Sequence, residues 1–143
     1  MKLATSFLAA LIMLVAACSD GAGTATIAPS GDREASFEVA TPPQAAAIID
    51  SRLGSDGFVL LDVRTPEEYA EGHIAGSENV DFYEPAFADN IGQLDRDASY
   101  VVYCRSGNRS GQTTELMRQL GFTDVTDISG GIVAWQSEGL PTQ

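Results

Sequence analysis

Apolar residues fall in short unbroken runs between turn-forming residues, and this rhythm predicts the strands. Phe58-Val59-Leu60-Leu61 follows the turn Gly54-Ser55-Asp56-Gly57, and Tyr100-Val101-Val102-Tyr103 is a second such run. Partly β-branched runs without alternation fit strands of a parallel sheet that is covered on both sides. Asn79-Val80 and Asp124-Val125-Thr126 are shorter candidates. Phe37-Glu38-Val39 alternates as an outer strand does.

Between the runs the period changes from unbroken to helical. Thr41-Pro42-Pro43-Gln44 and Thr65-Pro66-Glu67-Glu68 each place a threonine at an N-cap, proline at the first helical position and Gln or Glu at the third. That is the capping-box arrangement, with proline where its missing N–H costs nothing. The first start predicts a helix to residue 53, with Ala45, Ile48, Ile49 and Leu53 on one face. The second predicts a short helix to residue 71. A third helix is expected over residues 110–120, where Thr113, Leu116, Met117 and Leu120 share a face. Gly121 then sits where a left-handed residue ends a helix, with Phe122 as its apolar partner. A last helix is expected over residues 131–138. Strands alternating with helices imply an α/β fold, a parallel sheet with helices on both faces.

The first residues follow a different rule. Met1-Lys2 gives one positive charge, and residues 3–17 are apolar or small throughout. This has the form of a signal segment and is short for a membrane span. It ends in Val15-Ala16-Ala17-Cys18, which resembles the lipobox of bacterial lipoproteins. The resemblance implies removal of residues 1–17 and a lipid on Cys18, which would anchor the protein to a membrane in the cell envelope, facing the periplasm. Ser19 stands where that family carries Asp for retention in the inner membrane, so the outer membrane is expected. Residues 18–36 are rich in Gly, Ala, Thr, Ser and Pro and read as a flexible tether. Residues 37–143 are then the folded domain.

Composition narrows the function. The 143 residues suit one compact domain, and 44% of them are hydrophobic. A formal net charge of -12, with Lys2 as the only lysine, excludes binding to nucleic acid by charge. The two cysteines, Cys18 and Cys104, stand in unrelated contexts and do not read as a disulfide. No metal-ligand cluster, phosphate-binding glycine motif or dinucleotide fingerprint appears in the sequence, so neither metal nor cofactor is expected. Nothing calls for an obligate partner, and a monomer is expected.

The candidate chemistry lies in Cys104-Arg105-Ser106-Gly107-Asn108-Arg109-Ser110. In α/β sheets ligands gather at the carboxyl ends of strands, and Cys104 follows a buried strand and precedes a helix. A loop there can turn its main-chain N–H groups inward as an anion cradle, joined by the first amides of the helix. Gly107 permits the required curl. Arg105 and Arg109 are expected to add positive charge, so that Cys104 is a thiolate nucleophile of lowered pKa. The same cradle suits a persulfide anion. His73, the only histidine, reads as a structural hydrogen-bonding residue. Asp62 and Arg64 read as polar ties at a strand end, and Trp135 as core.

These motifs resemble a known family. Leu61-Asp62-Val63-Arg64-Thr65-Pro66-Glu67-Glu68-Tyr69, with Gly72-His73-Ile74-Ala75-Gly76-Ser77 and Asn79-Val80, is similar to the first signature of rhodanese domains. Tyr103-Cys104 through Ser110 is similar to their active-site loop, and Gly130-Gly131, Trp135, Gly139 and Pro141 to their closing segment. The resemblance implies a rhodanese-like α/β fold with a central parallel five-stranded sheet. It also implies a sulfurtransferase: Cys104 takes sulfur from a small anionic donor such as thiosulfate and passes it to cyanide or a thiol. Arg105, Ser106, Gly107, Asn108, Arg109 and Ser110 are the expected donor-binding loop. In phosphatases of the same general fold, cysteine and arginine stand one residue further apart than Cys104 and Arg109, so phosphatase or arsenate reductase activity is the lesser alternative. A further alternative is a module that carries a persulfide or senses oxidation at Cys104 without turnover.

Overall fold

The computed structural model describes residues 34–143. The expectations for residues 1–17, for Cys18 and for most of the tether lie outside the described residues. Ten elements follow in strict alternation: β1 (Ser36–Ala40), α1 (Pro42–Arg52), β2 (Phe58–Asp62), α2 (Pro66–Glu71), β3 (Glu78–Asn79), α3 (Phe87–Gly92), β4 (Ser99–Tyr103), α4 (Asn108–Gln119), β5 (Asp124–Ile128) and α5 (Gly131–Ser137).

The five strands form one sheet in the order β1-β5-β4-β2-β3, and every pairing is parallel. β4 lies in the middle with all five residues buried, as its unbroken apolar run requires. Alternate side chains along the strands point to opposite layers. Leu61, Tyr100, Val102 and Val125 pack with Phe87, Ile91 and Met117 of α3 and α4. Leu60, Val101, Tyr103 and Ile128 pack with Ala45, Ile49, Ile132 and Trp135 of α1 and α5. The register pairs Asp62 with Tyr103, so the carboxyl ends of β2 and β4 lie level.

Polar ties fix that end of the sheet. Arg64 Nη2 donates to Asp62 Oδ2 at 2.7 Å and to the Gly72 carbonyl at 2.8 Å. The buried Tyr103 hydroxyl accepts the Ile74 N–H at 3.1 Å and bonds Ser77 Oγ at 2.9 Å. His73 stacks on Tyr69 with ring centroids 3.7 Å apart, and its Nδ1 lies 3.0 Å from the Tyr69 carbonyl. Asp62, Arg64 and His73 are therefore structural, as the sequence predicts, and Trp135 is core.

Three details differ from the sequence reading. Leu53 follows α1 rather than extending its apolar face, and is exposed. α4 begins at Asn108, two residues earlier than expected, because Gly107 takes a left-handed φ of 97° and turns the chain directly into the helix. α3 has no sequence signal beyond Phe87 and Ile91, one turn apart and both buried.

Candidate active site

β4 delivers the chain to Cys104, and residues 104–107 turn it into α4. Two constraints shape the turn. At its far end Gly107 supplies the left-handed residue, and its carbonyl accepts the Gly111 N–H at 3.0 Å, opening the helix. From behind, the first amides of α5 fasten it. Ile132 N–H donates to the Cys104 carbonyl at 2.9 Å, and Val133 N–H to that of Arg105 at 3.1 Å. This approach needs Gly131, at φ 59°, where a Cβ would lie 2.4 Å from the Cys104 carbonyl oxygen. The expected glycine pair of the closing segment thus acts as a backing plate for the loop.

The turn encloses the sulfur. Gly107 N–H donates to Cys104 Sγ at 3.1 Å, and the Ser110 hydroxyl lies 3.5 Å from it. The main-chain amides of Ser106 and Ser110 also bear on it. Cys104 is 1% exposed, with exposed Arg105, Ser106 and Asn108 around it. Burial pushes the thiol pKa up. The Ser110 hydroxyl and the amides of Ser110, Ser106 and Gly107 outweigh burial and hold the pKa below the ordinary thiol value. The positive end of α4 points the same way. The expected nucleophile and the expected cradle are therefore brought together.

The expected cationic contribution takes a different form. Arg109 is not free. Its Nη1 and Nη2 bind both oxygens of Glu68, at 2.6 and 2.8 Å. Its attraction to Cys104 remains but is weaker than that to Glu68. The hydrogen bond from Arg109 brings the Glu68 carboxyl down to about 2, against an opposing effect of burial. Arg109 also lies 5.5 Å from the ring centroid of Tyr83, an exposed aromatic beside the site. Arg105 is exposed, and its carbonyl is held by Val133. Asn108 opens α4, where Gln112 Nε2 donates to its Oδ1 at 2.9 Å.

The sequence gives no sign that Glu68 reaches Arg109 or that Asp127 lies near Ser110. Glu68 is legible only as the third position of a capping box, and Asp127 only as a residue after a short strand. The arrangement as a whole offers a thiol whose pKa is held below the ordinary value, a nest of N–H donors for an anion on that sulfur, and an arginine already paired with Glu68.

Residues 45–138 match the model of the Rhodanese-like domain family. Thiosulfate sulfurtransferase 16, a chloroplast protein of Arabidopsis thaliana, is 36% identical over 119 residues, spanning 74% of this chain and 97% of its own length. Thiosulfate sulfurtransferase GlpE of Pseudomonas aeruginosa (strain LESB58) is 37% identical over 101 residues, 71% of this chain and 86% of that protein. The crystal structure of a rhodanese-related protein from Thermoplasma volcanium superposes with a TM-score of 0.62 at 34% identity. It covers 74% of this chain and 97% of the other.

Proposed function

Since the chain belongs to the rhodanese-like domain family, we propose that it transfers sulfane sulfur from thiosulfate through a persulfide on Cys104. The observation that carries this reading is the nest of donors around Cys104 Sγ, from Gly107 and Ser110. The Cys104 thiolate attacks the outer sulfur of thiosulfate. The bond between the two sulfurs of thiosulfate breaks, and sulfite leaves with the electron pair. The sulfur gained is held as a persulfide anion facing the same amides. Cyanide or a thiolate then attacks the outer sulfur of the persulfide. Thiocyanate or a new persulfide leaves, and the Cys104 thiolate returns. Cys104 is the only cysteine among the described residues, so an outside acceptor takes the sulfur.

The grip of Glu68 on Arg109 disfavours a phosphatase, whose arginine must face the phosphate. The decisive experiment is intact mass after incubation with thiosulfate. The folded domain gains one sulfur atom and loses it to cyanide, and Cys104→Ser gains none. A Cys104→Ser variant that still forms thiocyanate would overturn the reading. The envelope location read from Cys18 is part of the same proposal, and fatty-acid labelling lost in Cys18→Ala tests it.

A further inference from the structure

Trp135, the only tryptophan of the chain, packs on the side of the sheet opposite the sulfur. Beside it lies a groove of about 160 Å³. α1 lines it with Ile49 and Leu53, the segment before β3 with Ile74, and the chain after α5 with Leu140. The groove is preformed, because that last segment is tied at both ends. Leu140 N–H donates to the Trp135 carbonyl at 3.2 Å, and the Trp135 indole N–H to the Pro141 carbonyl at 2.9 Å. Gln143 and His73 then exchange two main-chain hydrogen bonds, each of 2.8 Å.

The lining is apolar with one exception, the carboxylate of Asp50 on α1, which is exposed. Asp50 carries no ion pair among the described residues. Arg52, the cation on the same helix, is engaged with Ser99 and Asp124 instead. Leu53 is 44% exposed, so apolar surface meets water on the same helix as this unmatched charge. An apolar hole of about 150 Å³ admits a benzene-sized molecule in preference to water. The space is too small for a drug-sized ligand, so its occupant is a single ring or a compact alkyl group.

We propose that this groove binds a small organic ammonium ion, its apolar body against Trp135, Ile49 and Leu140 and its charged nitrogen on Asp50. The charge selects among ligands of equal size. A carboxylate of the same shape is repelled by Asp50 and by the net charge of -12. A neutral analogue gains the burial but not the ion pair. No polar side chain other than Asp50 lines the groove, so a sugar or another ligand rich in hydroxyls leaves its polar groups unsatisfied there. Cys104 packs in the other layer, so amine binding and sulfur chemistry are separate properties of the domain.

Trp135 reports its own occupant, since its fluorescence is the only indole signal. The probes are benzylamine, benzyl alcohol and benzoate, titrated into the wild-type protein. Benzylamine should shift the emission saturably, with a dissociation constant roughly in the millimolar range expected for so few atoms. It should bind roughly two- to fivefold tighter than benzyl alcohol, the yield of an ion pair at an exposed rim, and benzoate should bind more weakly than either. Asp50→Asn should bring benzylamine to the level of the alcohol. Ala46→Leu, which adds bulk to the lining, should weaken both by at least roughly fivefold. Cys104→Ser should bind benzylamine as the wild type does, which keeps this result apart from the sulfur-transfer reading. Thermal melting establishes that each variant is folded. A response without saturation, equal affinity for amine and alcohol, or a preference that survives Asp50→Asn overturns the inference. So does emission that changes with protein concentration alone, which would show a second copy covering the groove.

Discussion

Glu68 holds Arg109 through both of its oxygens, Oε2 at 2.6 Å from Nη1 and Oε1 at 2.8 Å from Nη2. The same Oε2 accepts the Thr65 N–H at 3.2 Å, closing the capping box of α2. One carboxylate therefore starts α2 and also clamps the first turn of α4, the turn that faces the sulfur. The side chains are 21% and 11% exposed, so the pair is screened far less than a surface ion pair.

Glu68→Gln should separate these two roles. It leaves the Arg109 charge unmatched beside an anion-binding loop, so the KM for thiosulfate falls severalfold while kcat is little changed. Loss of the ion pair costs about 3 kcal/mol and lowers Tm by roughly 10 °C. Steady-state kinetics at two ionic strengths check the first effect, because the gain in KM must fade as salt rises. An unchanged KM would show that Arg109 does not meet the donor.

Two carboxyls give the stability of the domain opposite slopes with pH. Glu68 has a folded pKa lowered from 4.5 to about 2, so its contribution is present above 4.5 and is lost as pH falls toward 2. Asp127 has a folded pKa raised from 3.8 to about 6, so its contribution is present below 3.8 and is lost as pH rises through 6. Stability should therefore be greatest near pH 4 to 5, between these values. Asp127→Asn should remove the decline on the alkaline side, a difference on the order of 3 kcal/mol between acid and neutral pH. Urea unfolding of both proteins across this range measures it, and parallel curves would refute the assignment.

Tyr103→Phe tests the frame below the site. The change leaves the buried Ile74 N–H and Ser77 hydroxyl without the oxygen they share. The expected cost is about 1–3 kcal/mol. The Tyr103 ring faces α1 and α5, away from the sulfur layer, so the thiolate titration should not move while thermal stability falls.

Most of this fold was legible because local rules and burial agree. The Thr-Pro starts fix α1 and α2, and the unbroken runs mark β2 and β4 as inner strands. Cys104 was legible because strand, glycine and helix start occur in order around it. The relationships that could not be read are between residues distant in sequence. Glu68 and Arg109 are 41 residues apart, and the capping role of Glu68 accounts for its presence without Arg109. Asp127 lies just past the expected strand Asp124-Val125-Thr126, but β5 runs on to Ile128 and its register buries Asp127 under α4. α3 is short, carries no cap, and is fixed by where Phe87 and Ile91 find the core rather than by propensity. The two arginines of the loop read alike in sequence, and only the fold shows that one is bound and the other exposed.

Gly131→Ala should damage the site through the main chain alone. The residue lies at φ 59°, and its new Cβ would be 2.4 Å from the Cys104 carbonyl oxygen and 2.7 Å from the carbonyl carbon and oxygen of Arg105. All three are backbone atoms, so no side chain can yield. The loop must move away from α5, breaking the bonds from Ile132 and Val133 and opening the amide nest. A displacement of about 1 Å at a reacting atom costs on the order of a hundredfold in rate. Sulfur uptake by Gly131→Ala should fall by at least that factor, and the thiol pKa should return toward its ordinary value. Gly139→Ala is the matched control. It also stands at a positive φ, 72°, but its Cβ meets nothing within 4 Å. It should cost only about 1 kcal/mol of stability for the backbone strain and leave uptake unchanged. If the two variants lose uptake equally, or Gly131→Ala retains it, the backing of the loop by α5 is not what shapes the nest.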